Sequence, residues 1–162
     1  MNHLNWATCV LIFSLLALCS CSTTKLPTEE VTEKISEKKP VEAPLYLFNF
    51  TESDFLSPVL EMAAAEKKLV YVDFHADWCA PCKLMEEEVY KNQELADLMN
   101  ASFVNYRVDA DTESGGRLMT IFEVKSLPTL LFINPKGEVL VRKTGAALYT
   151  EFKELADQAL HK

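Results

Sequence analysis

The stretch Val72-Asp73-Phe74-His75-Ala76-Asp77-Trp78-Cys79-Ala80-Pro81-Cys82-Lys83 decides how this chain is read. An apolar run holding one carboxylate leads into two cysteines separated by two residues. Such a pair can ligate a metal, cross-link the chain, or carry electrons. A closed zinc site takes four N or S ligands. Beyond the first 21 residues the chain offers only Cys79, Cys82, His75 and the near-terminal His161. A structural disulfide around so short a loop removes little chain entropy. Electron transfer fits better. At a helix start, free backbone N–H groups and the helix dipole stabilise a thiolate on the first sulfur. The second sulfur then lies one turn in, within reach of a mixed disulfide formed at the first.

The rest of the chain sets the context. Its 162 residues, 49% of them hydrophobic, suffice for one domain with a real core and some additional length. A net charge of −8 argues against nucleic-acid binding, which needs a basic face to displace counterions. Of five cysteines, Cys9, Cys19 and Cys21 fall at the N-terminus, so a single pair belongs to the folded part.

Residues 1–21 read as an export signal. Val10 to Leu18 is an apolar core too short to span a bilayer. Leu18-Cys19-Ser20-Cys21 follows it and resembles the lipobox of bacterial lipoproteins, with Cys21 as the lipidated residue. The n-region departs from that pattern in having no Lys or Arg, and an ordinary cleaved signal or an uncleaved anchor is the alternative. Ser22 after the cysteine resembles the sorting pattern for the outer membrane. Residues 22–44 hold three prolines, five Glu and four Lys with few large apolar side chains, and read as a flexible tether. From Leu45 onward 19 acidic residues stand against 12 basic ones, so residues 45–162 form an acidic domain.

Within that domain, strands are expected at Leu45–Phe50, Leu69–Phe74, Ser102–Val108, Thr129–Ile133 and Glu138–Arg142. Helices are expected at Asp54–Lys67, from Cys79 to Met99 with a break near Asn92, at Gly116–Phe122, and over the Leu148–Leu160 stripe. Along the second helix Cys82, Met85 and Val89 share a face, while Lys83, Glu86 and Glu87 point away. Asn134-Pro135-Lys136-Gly137 is a turn that makes the last two strands an antiparallel hairpin. The alternation predicts an α/β fold: a mixed, mostly parallel central sheet with helices on both faces, closed by that hairpin and a helix.

With these elements in place the chain resembles the thioredoxin family. The Val72–Lys83 segment is similar to that family's active-site segment, Ser126-Leu127-Pro128-Thr129 to its cis-proline loop, and Lys143-Thr144-Gly145-Ala146 to its late glycine turn. The likeness runs from Leu45 to Leu160 and is nearest to exported members such as the C-terminal periplasmic domain of DsbD. It implies a thioredoxin fold and thiol–disulfide oxidoreductase activity without a cofactor or metal. Cys79 is implied as the nucleophile and Cys82 as the resolving thiol, the two forming the redox disulfide. Asp73 is implied as the proton-exchanging carboxylate, its pKa raised by burial. Pro128 is implied to be cis, with Leu127 offering backbone groups to a bound peptide. Trp78 and Pro81 complete the substrate-facing surface.

Two departures stand out. The position where thioredoxins carry a buried lysine aligns, on Asp109, with Asn105, which leaves Asp73 without a nearby cation. His75 stands where a large aromatic is common. The implied partners are protein thiols and disulfides, a membrane electron donor of the DsbD type, and the membrane itself through the lipid anchor; the protein is expected to be a monomer in the periplasm or cell envelope. Ala80-Pro81 between the cysteines adds no side-chain donor, and Asp77 with Glu86-Glu87-Glu88 adds negative charge, which together predict an electron donor. Metal delivery on this fold, as in copper chaperones, uses a wider C-x-x-x-C and a distant core His. A disulfide isomerase and a binding module with vestigial thiols are further alternatives.

Overall fold

The computed structural model describes residues 46–162. The expected signal, the tether and Cys21 lie outside the described residues. Ten elements follow in chain order: β1 (Phe50–Thr51), α1 (Leu56–Glu66), β2 (Leu69–His75), α2 (Ala80–Glu88), α3 (Gln93–Ser102), β3 (Phe103–Asp109), α4 (Glu113–Ile121), β4 (Thr129–Ile133), β5 (Val139–Thr144) and α5 (Tyr149–Leu160).

The five strands form one sheet in the order β1-β3-β2-β4-β5. β3 runs parallel to both β1 and β2, whereas β2–β4 and β4–β5 are antiparallel. The fold is the expected α/β one with a mixed, mostly parallel sheet: β1, β2, β3 and β5 share one direction, and β4 alone is reversed, entering beside β2 after the Pro128 turn. Register along β2 sets the site: Asp73 stands opposite Arg107 of β3 and Leu130 of β4.

Successive side chains of a strand point to opposite faces, and β2 uses both. Val70, Val72 and Phe74 join Val59 and Ala63 of α1 and Leu118 of α4 in one core. Tyr71 joins Met85 of α2, Met99 of α3 and Phe152 of α5 in the other. That double burial explains the nearly unbroken apolar run of β2. Asp73 falls on the Tyr71 face, toward α2.

The N-terminal segment departs from expectation. Only Phe50 and Thr51 pair as a strand. Before them the backbone bonds outside the sheet: the Leu47 N–H donates to the Tyr90 carbonyl at 2.8 Å. The Asn49 N–H donates to Asn100 Oδ1 at 2.8 Å, and Asn100 Nδ2 donates to the Leu47 carbonyl at 2.9 Å. One asparagine thus supplies the partners a neighbouring strand would have supplied. Helix α4 begins three residues earlier than expected, because Thr112 Oγ1 caps it by accepting from the Gly115 N–H at 3.0 Å. Gly115 is required there: a Cβ would lie 1.9 Å from the Asp109 carbonyl oxygen.

Candidate active site

Strand β2 ends at His75, and after four further residues the chain turns into α2. Cys79 is the N-cap of that helix and accepts the Cys82 N–H on its sulfur at 3.3 Å. Pro81, in the first turn, has no N–H to satisfy, which suits that position. Cys79 and Cys82 are joined as a disulfide, with Cα atoms 5.3 Å apart. Both are buried and pack with Ala76, Ala110 and Leu127.

The other residues expected at the site divide by position. The Leu127–Pro128 peptide is cis, as expected, and the Pro128 carbonyl accepts the Gly145 N–H at 2.8 Å, so the two loops are tied together. Leu127 is half-buried against the cysteines, and Pro81 is exposed. Trp78 is 70% exposed and donates Nε1–H to Asp111 Oδ2 at 2.9 Å. Its ring therefore flanks the cysteines and is anchored by a carboxylate on the loop after β3.

Asp73 lies beneath α2, 2% exposed. The expectation that it lacks a cation is overturned. Arg107 Nε donates to Asp73 Oδ2 at 3.2 Å, and Nη2 of the same guanidinium donates to Glu86 Oε1 at 2.9 Å. Asn105, placed at the cation position by sequence, is instead a buried structural residue whose Nδ2 donates to Asn100 Oδ1 at 3.0 Å.

Glu86, expected on the outer face of α2, is instead buried. Burial pushes its carboxyl up, but the hydrogen bond and charge of Arg107, with help from Lys83, outweigh this and hold it below the usual range. Arg107 is raised: burial works against its charge, but Asp73, Tyr90, Tyr46 and Glu86 favour it. Its Nη1 donates to the Tyr46 hydroxyl at 2.9 Å, and the guanidinium lies 5.1 Å from the centre of the Tyr46 ring. Burial pushes the Tyr46 phenol up to about 12, so it stays neutral. Beyond Glu86, Lys83 Nζ lies 3.3 Å from Glu86 Oε2 and 3.5 Å from Asp77 Oδ1. The acidic residues around Cys79 are thus partly neutralised.

Arg107 and Glu86 escaped the sequence reading. An arginine inside Phe103-Val104-Asn105-Tyr106-Arg107-Val108 is as costly to bury as Asp73. Two buried opposite charges on adjacent strands were the available signal. His75, the last residue of β2, is half-buried, and its pKa is lowered by burial and by Arg107 against the pull of Asp73, Asp109 and Glu86. Among the described residues no three His, Cys, Asp or Glu side chains gather as metal ligands.

Comparisons with known proteins agree with this geometry. A family model described as a thioredoxin-like domain matches residues 56–160. A thioredoxin of Buchnera aphidicola is 30% identical over 121 residues, covering 71% of this chain and 97% of its own. The thiol:disulfide interchange protein DsbD 2 of Pseudomonas aeruginosa is 36% identical over 80 residues. That alignment covers 49% of this chain but only 14% of the Pseudomonas protein. A solved putative disulphide-isomerase of Bacteroides thetaiotaomicron is 37% identical with a TM-score of 0.59, covering 72% of this chain and 93% of its own. A disulfide-forming Cys pair capping a helix beside a cis-proline loop, within a domain matched along most of its length, leaves one conclusion: the chain belongs to the thioredoxin-like family and is a thiol–disulfide oxidoreductase.

Proposed function

We propose that this protein reduces protein disulfides outside the cytoplasm while tethered to a membrane through a lipidated Cys21. The observation that carries the exchange chemistry is Cys79 at the N-cap of α2, its sulfur facing the Cys82 N–H. In the reduced protein that site favours a thiolate. The thiolate attacks a substrate disulfide held along Leu127 and Pro128, with Trp78 and Pro81 alongside. Cys82 then gives its proton to Asp73 and attacks Cys79, releasing the reduced substrate. The sequence Leu18-Cys19-Ser20-Cys21 behind an apolar core supports the tether. Likeness to DsbD proteins supports an envelope location and a membrane donor of that type that returns electrons to Cys79–Cys82.

Trapping tests this reading. Cys82→Ser in the full chain leaves the mixed disulfide at Cys79 unresolved, so covalent partners should accumulate in cells and be released by reductant. Absence of such adducts, with Cys79→Ser as control, counts against reduction of protein substrates. Likeness to the Bacteroides thetaiotaomicron protein supports disulfide isomerisation as a second reading. Recovery of activity in scrambled ribonuclease without added reductant would favour it.

A further inference from the structure

Tyr71, Asp73 and His75 alternate onto one face of β2, above which α2 carries Glu86 and the cysteine pair. Two buried polar atoms on that face have no hydrogen-bond partner among the described residues: Asp73 Oδ1 and His75 Nδ1. Arg107 occupies only Oδ2 of Asp73. One carboxylate oxygen is therefore held by a fixed cation, and the other is left open.

We propose that His75 is a proton-relay residue of the exchange site, passing the proton that Asp73 takes from Cys82 out to solvent through one bridging water. The proposal rests on the thiol–disulfide exchange reading above. Alternate residues of a strand project to the same face, and one water with a hydrogen bond on each side links groups up to about 6 Å apart. Two orphaned partners are also the minimum that holds a buried water.

The charged groups facing His75 cannot take its place. Arg107, on β3, has no acceptor and does not lose its proton. Glu86, on α2, is engaged by that same guanidinium. Asp109, paired with His75 in the β2–β3 register, accepts the Asp111 N–H of the following loop on Oδ1 at 3.0 Å. His75 alone in this group changes charge near neutral pH. Burial and Arg107 lower its pKa, so it is neutral and able to accept at pH 7. Its partial exposure gives the second ring nitrogen a way out.

The step balances. The Cys82 thiol gives its proton to Asp73 Oδ1, and the resulting thiolate attacks the Cys79 sulfur. The Cys79–Cys82 bond forms as the Cys79–substrate bond breaks, and the substrate leaves as a thiolate with the electron pair. Asp73 returns its proton through the water to His75 Nδ1, while Nε2 releases one to solvent or to the departing thiolate. The cysteine pair is oxidised and the substrate reduced, with no further reactant.

The test uses the reduced full chain carrying Cys9→Ser, Cys19→Ser and Cys21→Ser, so that only Cys79 and Cys82 bear thiols, and 5,5′-dithiobis(2-nitrobenzoate). Cys79 displaces one thionitrobenzoate, and resolution by Cys82 releases a second, read by absorbance between about pH 5 and 8, the range of histidine titration. His75→Ala should still release both equivalents, showing an intact fold. Its second release should be slower by about tenfold or more, should lose the wild-type pH inflection, and should recover with added imidazole. His75→Gln should be slow as well. A His75→Ala profile that matches wild type overturns the relay, as does slowing that imidazole fails to restore. A wild-type protein that releases no second equivalent overturns the exchange reading and the relay together.

Discussion

Arg107 stands directly opposite Asp73 across the parallel β2–β3 pair and uses one guanidinium to hold Asp73 and Glu86 together, at 3.2 and 2.9 Å. This links the strand that carries Asp73 to the helix that carries the cysteines. Removing it leaves two buried carboxylates without their cation. Arg107→Met is expected to lose about 3–5 kcal/mol of stability in urea unfolding. Arg107→Lys keeps the charge but not the fork, and should fall between. Equal stability of wild type and Arg107→Met would show that the ion cluster does not hold α2 to the sheet.

Glu86 makes the same cluster sensitive to acid. Its folded-state pKa is depressed below the ordinary 4.5, so it binds its proton more weakly folded than unfolded. Its contribution is therefore fully present above that ordinary value and is lost as pH falls through the depressed one. Wild type should show a steeper loss of stability below about pH 4.5 than Glu86→Gln. Parallel curves for the two proteins would contradict the assignment.

Paired glycine substitutions test the start of α4. Gly115→Ala drives a Cβ to 1.9 Å from the Asp109 carbonyl, whereas one at Gly116 meets nothing within 4 Å. The first should destabilise by about 1–3 kcal/mol through overpacking. The second should stabilise by up to about 1 kcal/mol, since alanine is the better helix former. Thermal melts of the two variants compare them directly.

Asn100 is the counterpart at the N-terminal edge. It accepts from the Asn49 N–H and from Asn105 Nδ2, and donates to the Leu47 carbonyl. Asn100→Ala should cost about 3 kcal/mol and raise amide exchange at Asn49. Unchanged exchange there would mean that the aromatic packing of Phe48 and Phe50 on Tyr90 suffices.

Much of this architecture was legible because its signals are local. The Leu69–Phe74 run, the Thr129–Ile133 run and the Pro135–Gly137 turn each carry their own period or turn chemistry, and each lies where it was expected. The cysteine pair and the Pro128 loop were legible as motifs. What escaped depended on partners distant in sequence. Tyr46 to Asn49 reads as a strand until Asn100, some fifty residues on, takes its backbone bonds. Glu86 looks solvent-facing by helical period, and only Arg107, 21 residues later, compensates its burial. With Asp109 as the landmark the cation position falls on Asn105, whereas the cation beside Asp73 is Arg107, two residues later in β3.

Cys79 should react before Cys82 when the reduced protein meets iodoacetamide briefly near neutral pH. Its sulfur accepts a backbone N–H at the start of a nine-residue helix, which favours the thiolate. Peptide mass mapping reads the order. Equal or reversed labelling would remove Cys79 as nucleophile.

The proposed direction of electron flow, out of the Cys79–Cys82 pair, is read from its equilibrium potential. Ala80 and Pro81 place no side-chain donor between the sulfurs, and strongly oxidising pairs depend on a strongly stabilised thiolate. Equilibrating the purified protein with glutathione buffers and quantifying the free thiols should give a potential near about −270 mV, the value of thioredoxin. A potential more oxidising than about −180 mV, the level of protein disulfide isomerase, would contradict the proposed direction of electron flow.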